Sequence, residues 1–229
     1  MRVAVIPARG GSKRIPRKNI RPFAGQPIIV WPIKAALSSG LFDQVVVSTD
    51  DAEIGEVARE AGASVPFMRP KNLSDDFADT KSVVRHAISE LKLDTEPEAP
   101  VCCIYPTSVF VNTQLLSEGF EKLKGSNARF VLSITSVDSS VYRSFSKTAD
   151  DRITMLFPEN YAKRTQDLPN LYCDAAQFYW ATVSAWQSDL NIFGTDSTSV
   201  FIEPSKVQDV DTESQWLTAE QMFQENSKP

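Results

Sequence analysis

Residues 6–20 read IPARGGSKRIPRKNI, and place Arg9, Lys13, Arg14, Arg17 and Lys18 together with no acid among them, in a chain whose formal charge is -5. Gly10 and Gly11 are expected to take positive φ and expose backbone N–H groups in a concave turn. Arg9, Lys13 and Lys18 add charge around that cradle, and an arginine fork fits phosphate oxygens two at a time. A linked triphosphate is the compact anion that such a loop suits. The spacing is neither that of a P-loop nor a G-x-G-x-x-G. The competing reading is a solvated basic turn.

A second group lies near the other end of the chain. Asp209 and Asp211 alternate on an extended segment, so both point to one side. Such a pair suits Mg²⁺, which takes a few carboxylates and completes its shell with phosphates and water. Alternatively, Asp211 caps the helix beginning near Thr212. Asp50 ends a strand and either caps the next helix or joins a site. Asp174 and Gln177 either recognise a substrate or satisfy buried backbone groups. His86, the single histidine, falls within a helix and is read as structural, which argues against histidine-assisted nucleophilic catalysis. Phe178, Tyr179 and Trp180 are read as core and pocket wall.

The elements that must position these groups alternate. Apolar runs at 2–6, 44–48, 101–105 and 130–134 read as buried strands. Helical spacing covers 51–62 (capped by Asp50 or Asp51), 80–93 (Asp79 or Thr80) and a segment starting at Asn112. Residues 27–40 also look helical, but Pro32 requires either a start near Trp31 or a kink. The alternation implies a mostly parallel sheet covered on both faces, with ligands beyond the carboxyl ends of its strands. It fails over 136–172, which contains a strand at 153–157 and is too long for a simple loop. That excursion is expected to cap the site, meet a second subunit, or both. Strands at 176–182 and 199–203 and a helix over 212–224 follow. The whole of 1–229 is read as one domain.

At 229 residues, with 42% apolar and 23% charged residues, the chain has an ordinary globular composition. No apolar run approaches ~20 residues and no secretory leader is evident, so a cytoplasmic protein without a membrane partner is expected. The acidic balance argues against nucleic acid. Cys102, Cys103 and Cys173 lack metal-ligand spacing and are read as reduced core thiols.

Ala8-Arg9-Gly10-Gly11-Ser12-Lys13, then Ile15-Pro16 and Lys18-Asn19, resembles the signature of the cytidylyltransferases that activate nine-carbon acidic sugars, the family of the CMP-N-acetylneuraminate synthetases. The resemblance continues through Val47-Ser48-Thr49-Asp50-Asp51, Arg69-Pro70, Leu73-Ser74-Asp75-Asp76, Pro106-Thr107-Ser108 and Asp209-Val210-Asp211. Within the family, the block from Tyr172 to Trp180, with Arg14 and Arg17, is similar to the pseudaminic acid branch, although Ala176 stands where that block usually has glycine. CMP-KDO synthetases share the fold but tend to carry Thr or Ser then Arg where this chain has Ser12-Lys13.

The resemblance implies a Rossmann-like nucleotide-diphospho-sugar transferase fold of the α/β class, with a small protruding dimerisation or cap segment, and a homodimer. It implies transfer of CMP from CTP to an acidic sugar with release of pyrophosphate, in the service of surface glycan or flagellin glycosylation. Arg9, Lys18 and Asp211 would be catalytic. Ala8, Arg9, Gly10, Gly11, Ser12, Lys13, Asn19, Arg69, Pro106, Thr107 and Ser108 would hold the nucleotide. Asp174, Gln177 and Tyr179 would select the sugar, and Asp209 and Asp211 would hold Mg²⁺. A CMP-N-acetylneuraminate or CMP-KDO synthetase is the enzymatic alternative. A nucleotide-sugar sensor is the non-enzymatic one, though binding alone does not require both carboxylates.

Overall fold

The computed structural model describes residues 1–75 and 77–226; Asp76 of the acidic motif and residues 227–229 lie outside the described residues. In chain order the elements are β1 (Val3–Pro7), β2 (Pro22–Phe23), β3 (Gln26–Pro27), α1 (Val30–Ser38), β4 (Gln44–Ser48), α2 (Ala52–Glu60), α3 (Thr80–Glu90), β5 (Pro100–Ile104), α4 (Thr113–Gly125) and β6 (Phe130–Val137). They continue with β7 (Phe145–Lys147), β8 (Ile153–Met155), β9 (Leu171–Thr182), α5 (Val183–Gln187), β10 (Ser197–Phe201) and α6 (Glu213–Asn226). Six strands form one sheet in the order β10-β6-β9-β5-β1-β4. β4, β1 and β5 run parallel, as do β6 and β10, while β9 is antiparallel to both its neighbours.

The strand side chains alternate between two cores, as a period of two requires. Ala4, Ile6, Val45, Val47, Cys102 and Ile104 meet α1, α2 and α4 on one face. Val3, Val5, Val46, Val101 and Cys103 meet α3 and α5 on the other. The expected caps resolve to single residues: Asp51 accepts from Ile54 N–H, Asp79 from Ser82 N–H and Asn112 from Leu115 N–H. Pro32 causes no kink, because α1 begins at Val30 and the proline lies in its first turn, where its missing N–H has no helical acceptor to lose.

The strand expected at 176–182 is longer. β9 has twelve residues, because beyond Ala175 it pairs with the outer half of β6, Ile134 with Asp174 through Val137 with Leu171. The excursion expected over 136–172 therefore shrinks to about 138–170, an extension of a β-ribbon tipped by the β7/β8 hairpin. Cys173 lies on this ribbon and is exposed, which corrects its reading as a core thiol; Cys102 and Cys103 are buried. A third core is independent of the sheet: Ile15, Phe23 and Ile28 pack with Val109, Phe110, Val210, Trp216 and Ala219. It fastens the C-terminal segment to the basic loop. No helix of the described residues is long and apolar enough to cross a membrane.

Candidate active site

The basic loop leaves the carboxyl end of β1 and is anchored on both sides. Ala8 N–H donates to Ser48 O at 2.9 Å, and Gly10 N–H donates to Asp50 Oδ1 at 2.9 Å. Asn19 Nδ2 donates to Arg9 O at 2.9 Å, and Arg9 Nη1 to Asp75 O at 2.6 Å. Asp50 is thus a loop anchor rather than a cap, and it also faces the buried Arg69 Nη2 at 3.8 Å. Burial and the charge of Arg9 lower the pKa of Arg69, and Asp50 partly compensates.

The expected backbone geometry is corrected. Gly10 and Gly11 do not take positive φ; the left-handed position in the loop is Arg17, at φ 55°. Gly10 is needed for its size, since a Cβ there would sit 2.7 Å from Asp51 Oδ2. The Gly10 amide is already engaged by Asp50, and Ser12 N–H donates to Gly10 O at 3.1 Å. Those two amides are therefore engaged by the protein itself, while the side chains of Arg9 and Lys18 line the cleft. Arg17 takes no part in the cleft: it forks onto Asp51, with Nη2 to Oδ1 at 3.0 Å, and reaches Glu53 at 2.5 Å.

Across the loop stands the segment before α6. Lys18 Nζ donates to Val210 O at 2.7 Å and to Asp211 Oδ1 at 3.1 Å, and Arg14 pairs with Asp211 Oδ2 at 2.7 Å. Asp211 does not cap the helix. Thr212 Oγ1 accepts from Gln215 N–H, and Gln215 Oε1 accepts from Asp211 N–H at 3.0 Å, in the manner of a capping box. The Asp211 carboxylate is left to the cleft. Partial desolvation, then the charge of Asp211, raises the pKa of Asp209.

The cleft so formed has a volume of about 350 Å³ and brings together Arg9, Lys18, Asn19, Arg69, Pro106, Thr107, Asp209 and Asp211. An adjoining recess is lined by Ser12, Lys13 and Arg14 along with Arg9, Lys18, Asn19 and Asp211. Three expected site residues lie behind the wall: Ala8, whose side chain is fully buried in the core on the α1 side of the sheet, Ser108 and Gln177. Ser108 is buried and donates to Gln177 O at 2.8 Å. Gln177 is 2% exposed and donates from Nε2 to Ala175 O. Both serve a bulge in β9, where the register with β6 shifts between Leu132 and Ile134. Ser133 Oγ accepts there from the amides of Gln177 and Phe178, each at 3.1 Å. The bulge presents Ala176, at φ 49°, to the cleft. Asp174 braces it, accepting from Ala176 N–H at 3.0 Å and from the Tyr179 hydroxyl.

Thr80, expected only as a possible helix cap, and Tyr105, expected only as a strand residue, line both the cleft and a second cavity of about 510 Å³ that also holds Tyr179 and Phe193. Tyr105 directly follows β5, so the rule that ligands sit beyond strand carboxyl ends would have found it. Its hydroxyl shares a hydrogen bond of 2.5 Å with Thr80, and burial pushes its pKa up to about 12. Among the described residues no three or more His, Cys, Asp or Glu side chains converge as a metal cage. The Asp209/Asp211 pair still fits a hard cation whose remaining ligands are phosphate oxygens and water.

A mostly parallel α/β sheet with paired carboxylates opposite a basic loop at its strand ends suits a nucleotidyltransferase, and that is the class the family comparison shows. More particularly, the chain belongs to the cytidylyltransferase family, whose model matches residues 3–221. It is 43% identical over 211 residues to the pseudaminic acid cytidylyltransferase of Campylobacter jejuni, covering 92% of this chain and 90% of that protein. It is 31% identical to the CMP-N,N'-diacetyllegionaminic acid synthase of Legionella pneumophila, over 99% of this chain and 97% of that one. The solved structure of a CMP:2-keto-3-deoxy-manno-octonic acid synthetase complexed with CTP shares the fold. Its TM-score is 0.72 over 99% of this chain and all of that one, at 13% identity.

Proposed function

We propose that the chain transfers CMP from CTP to the anomeric hydroxyl of an acidic nine-carbon sugar, specifically pseudaminic acid, giving CMP-pseudaminic acid and pyrophosphate. The observation that carries this is the cleft itself, which sets Arg9, Lys18 and Asn19 against Asp209 and Asp211 from nearly 200 residues away (the Lys18–Asp211 separation is 193). The choice of sugar rests on likeness to the Campylobacter jejuni protein.

Positioning and charge neutralisation dominate such a transfer. Arg9, Ser12, Lys13 and Lys18 hold the triphosphate and stabilise the departing pyrophosphate. Arg69, with Pro106 and Thr107, borders the nucleotide. The second cavity, reached past Thr80 and Tyr105, takes the sugar, with Tyr179 in its wall and Asp174 bracing Tyr179. Ser108 and Gln177 act from behind by fixing the bulge. Asp209 and Asp211 would hold Mg²⁺, which supplies neutralisation of phosphate charge and a lower pKa for a bound hydroxyl.

The active form proposed is a homodimer. Phe145, Ile153, Leu156 and Tyr161 are exposed on the 138–170 excursion, an apolar surface suited to a second copy. Sedimentation at micromolar concentration is expected to give a dimer; a fully active monomer contradicts it. The reaction is tested by pyrophosphate release from CTP and Mg²⁺ with pseudaminic, N-acetylneuraminic and KDO acids side by side. Pseudaminic acid is expected to give the highest kcat/KM. Preference for another of the three overturns the choice of sugar, and no release with any overturns the reaction.

A further inference from the structure

Among the described residues five other than glycine have left-handed φ, and Ala176, at 49°, is the one that lies in a strand and lines the cleft. A residue with a Cβ is strained there, whereas glycine is not. The strain is held from several directions. Asp174 Oδ1 accepts from Ala176 N–H at 3.0 Å, and Gln177 Nε2 donates to Ala175 O at 3.0 Å. Ser133 Oγ accepts from the amides of Gln177 and Phe178, and Ser108 Oγ donates to Gln177 O. Ser108, Ser133 and Gln177 are all buried. Local strain of this kind persists where the surroundings over-determine it. All of these bonds are made by the backbone or by other side chains, so glycine at 176 would keep them. The methyl group is what alanine alone adds.

That methyl stands at a junction. Gln177 O, one residue on, accepts from Tyr105 N–H at 3.0 Å, so the bulge lies alongside the end of β5. Tyr105 lines both the cleft and the cavity of about 510 Å³, and Tyr179, further along β9 from Ala176, lines that cavity. We propose that the Ala176 methyl is a specificity element: it narrows the passage between cleft and cavity and limits which acidic sugar can bring its anomeric hydroxyl to the α-phosphate. The inference rests on the reading that CTP occupies the cleft and the sugar the cavity. A methyl on this bulge cannot retreat, because the backbone behind it is tied to buried partners and alanine has no rotamer to change. An acceptor with bulk at that point meets the methyl, and one without it packs against the methyl. A single carbon in such a contact discriminates by about 10- to 200-fold.

The experiment compares wild type, Ala176→Gly and Ala176→Ser. Pyrophosphate release is measured at saturating CTP and Mg²⁺ with pseudaminic, N-acetylneuraminic and KDO acids. CTP affinity is measured by calorimetry without sugar, and thermal midpoints are recorded for each variant. Ala176→Gly is expected to lower the ratio of kcat/KM between the best acid and the next by about five- to twentyfold, chiefly through a gain on the poorer acid. Its CTP affinity is expected to stay within about twofold of wild type, and its midpoint to rise by about 1–3 °C as the strain is relieved. Ala176→Ser, which enlarges the side chain, is expected to lower kcat/KM for the best acid about tenfold while CTP affinity again holds. A merely structural alanine would move the midpoint and leave the ratio between acids untouched, and that result overturns the proposal. A loss of CTP affinity as large as the change in the ratio places the methyl against the nucleotide and overturns it too. So does a midpoint that fails to rise in Ala176→Gly, since no strain would then be held. Wild type that releases pyrophosphate with none of the acids overturns the reading of the reaction, and this inference with it.

Discussion

At the scale of single residues, charges in the site and beside it hold one another in check, and two aspartates show it with opposite sign, Asp209 in the cleft and Asp51 behind the loop. The pKa of Asp209 is raised by desolvation and then by the charge of Asp211. A carboxyl whose folded value lies above its unfolded value favours folding at low pH and loses that contribution as pH rises through the folded value. Asp209→Asn is therefore expected to raise the thermal midpoint of the metal-free protein at pH 7. The gain should shrink as pH falls toward the ordinary aspartate range of about 4. Melting scans in EDTA between those limits check it, and an unchanged midpoint at pH 7 contradicts it. The same variant is expected to lose turnover in Mg²⁺, so stability and activity move apart, as they do where function holds like charges together. The pKa of Asp51 is lowered, first by its hydrogen bond from Arg17. Its contribution is present above the unfolded value and lost as pH falls through the folded one. Arg17→Ala is accordingly expected to cost stability at neutral pH and to matter less in acid, which the same scans in wild type and variant would read.

At the scale of elements, what could be read from the sequence was whatever repeats locally. β1, β4 and β5 and the helices α2, α3 and α4 follow from apolar period and caps, because each is specified by its own ten or so residues. The bulge in β9 and the ribbon beyond it follow from pairing with β6, some forty residues earlier, and no local pattern encodes that register. For the same reason Gln177 looked like a site residue. A buried amide that serves a bulge and one that serves a ligand are the same letter. The loop failed differently: Gly-Gly suggested positive φ, whereas the constraint on Gly10 is the close approach of Asp51. Sheet and helix meet with similar closeness at Gly119 in α4, where a Cβ would lie 2.7 Å from Trp180 Cδ1 and 2.9 Å from Phe178 Cε2. Both aromatic side chains are fully buried, so neither can retreat to solvent. Gly119→Ala is expected to destabilise the protein by about 1–3 kcal/mol through overpacking, despite the better helix propensity of alanine. Chemical denaturation measures it, and a neutral or stabilising result contradicts it.

At the scale of the whole molecule, the site exists only because the two ends of the chain meet. The sheet supplies the floor, but the Asp209/Asp211 segment belongs to no strand. It is carried by α6, whose anchor is the third core rather than either sheet face. Trp216 is the main fastener. It is 1% exposed, meets Phe23 edge-on at 5.5 Å, and lies under the Arg21 guanidinium at 4.4 Å. Trp216→Ala is expected to cost about 3–5 kcal/mol, as large-to-small core changes do. Its distinguishing consequence is local. Loosening α6 frees Asp211 from Lys18, so CTP affinity in Mg²⁺ should fall at temperatures where the sheet is still folded. Trp186 is a fair control, equally buried in the core under α3 and α5, with Nε1 donating to Val101 O at 3.1 Å. Trp186→Ala is expected to lose comparable stability while the folded fraction keeps its CTP affinity. Calorimetric titration well below each variant's midpoint separates the two. Equal loss of affinity in both would mean that the site depends on general stability, whereas loss only with Trp216 locates it at the junction of the chain ends.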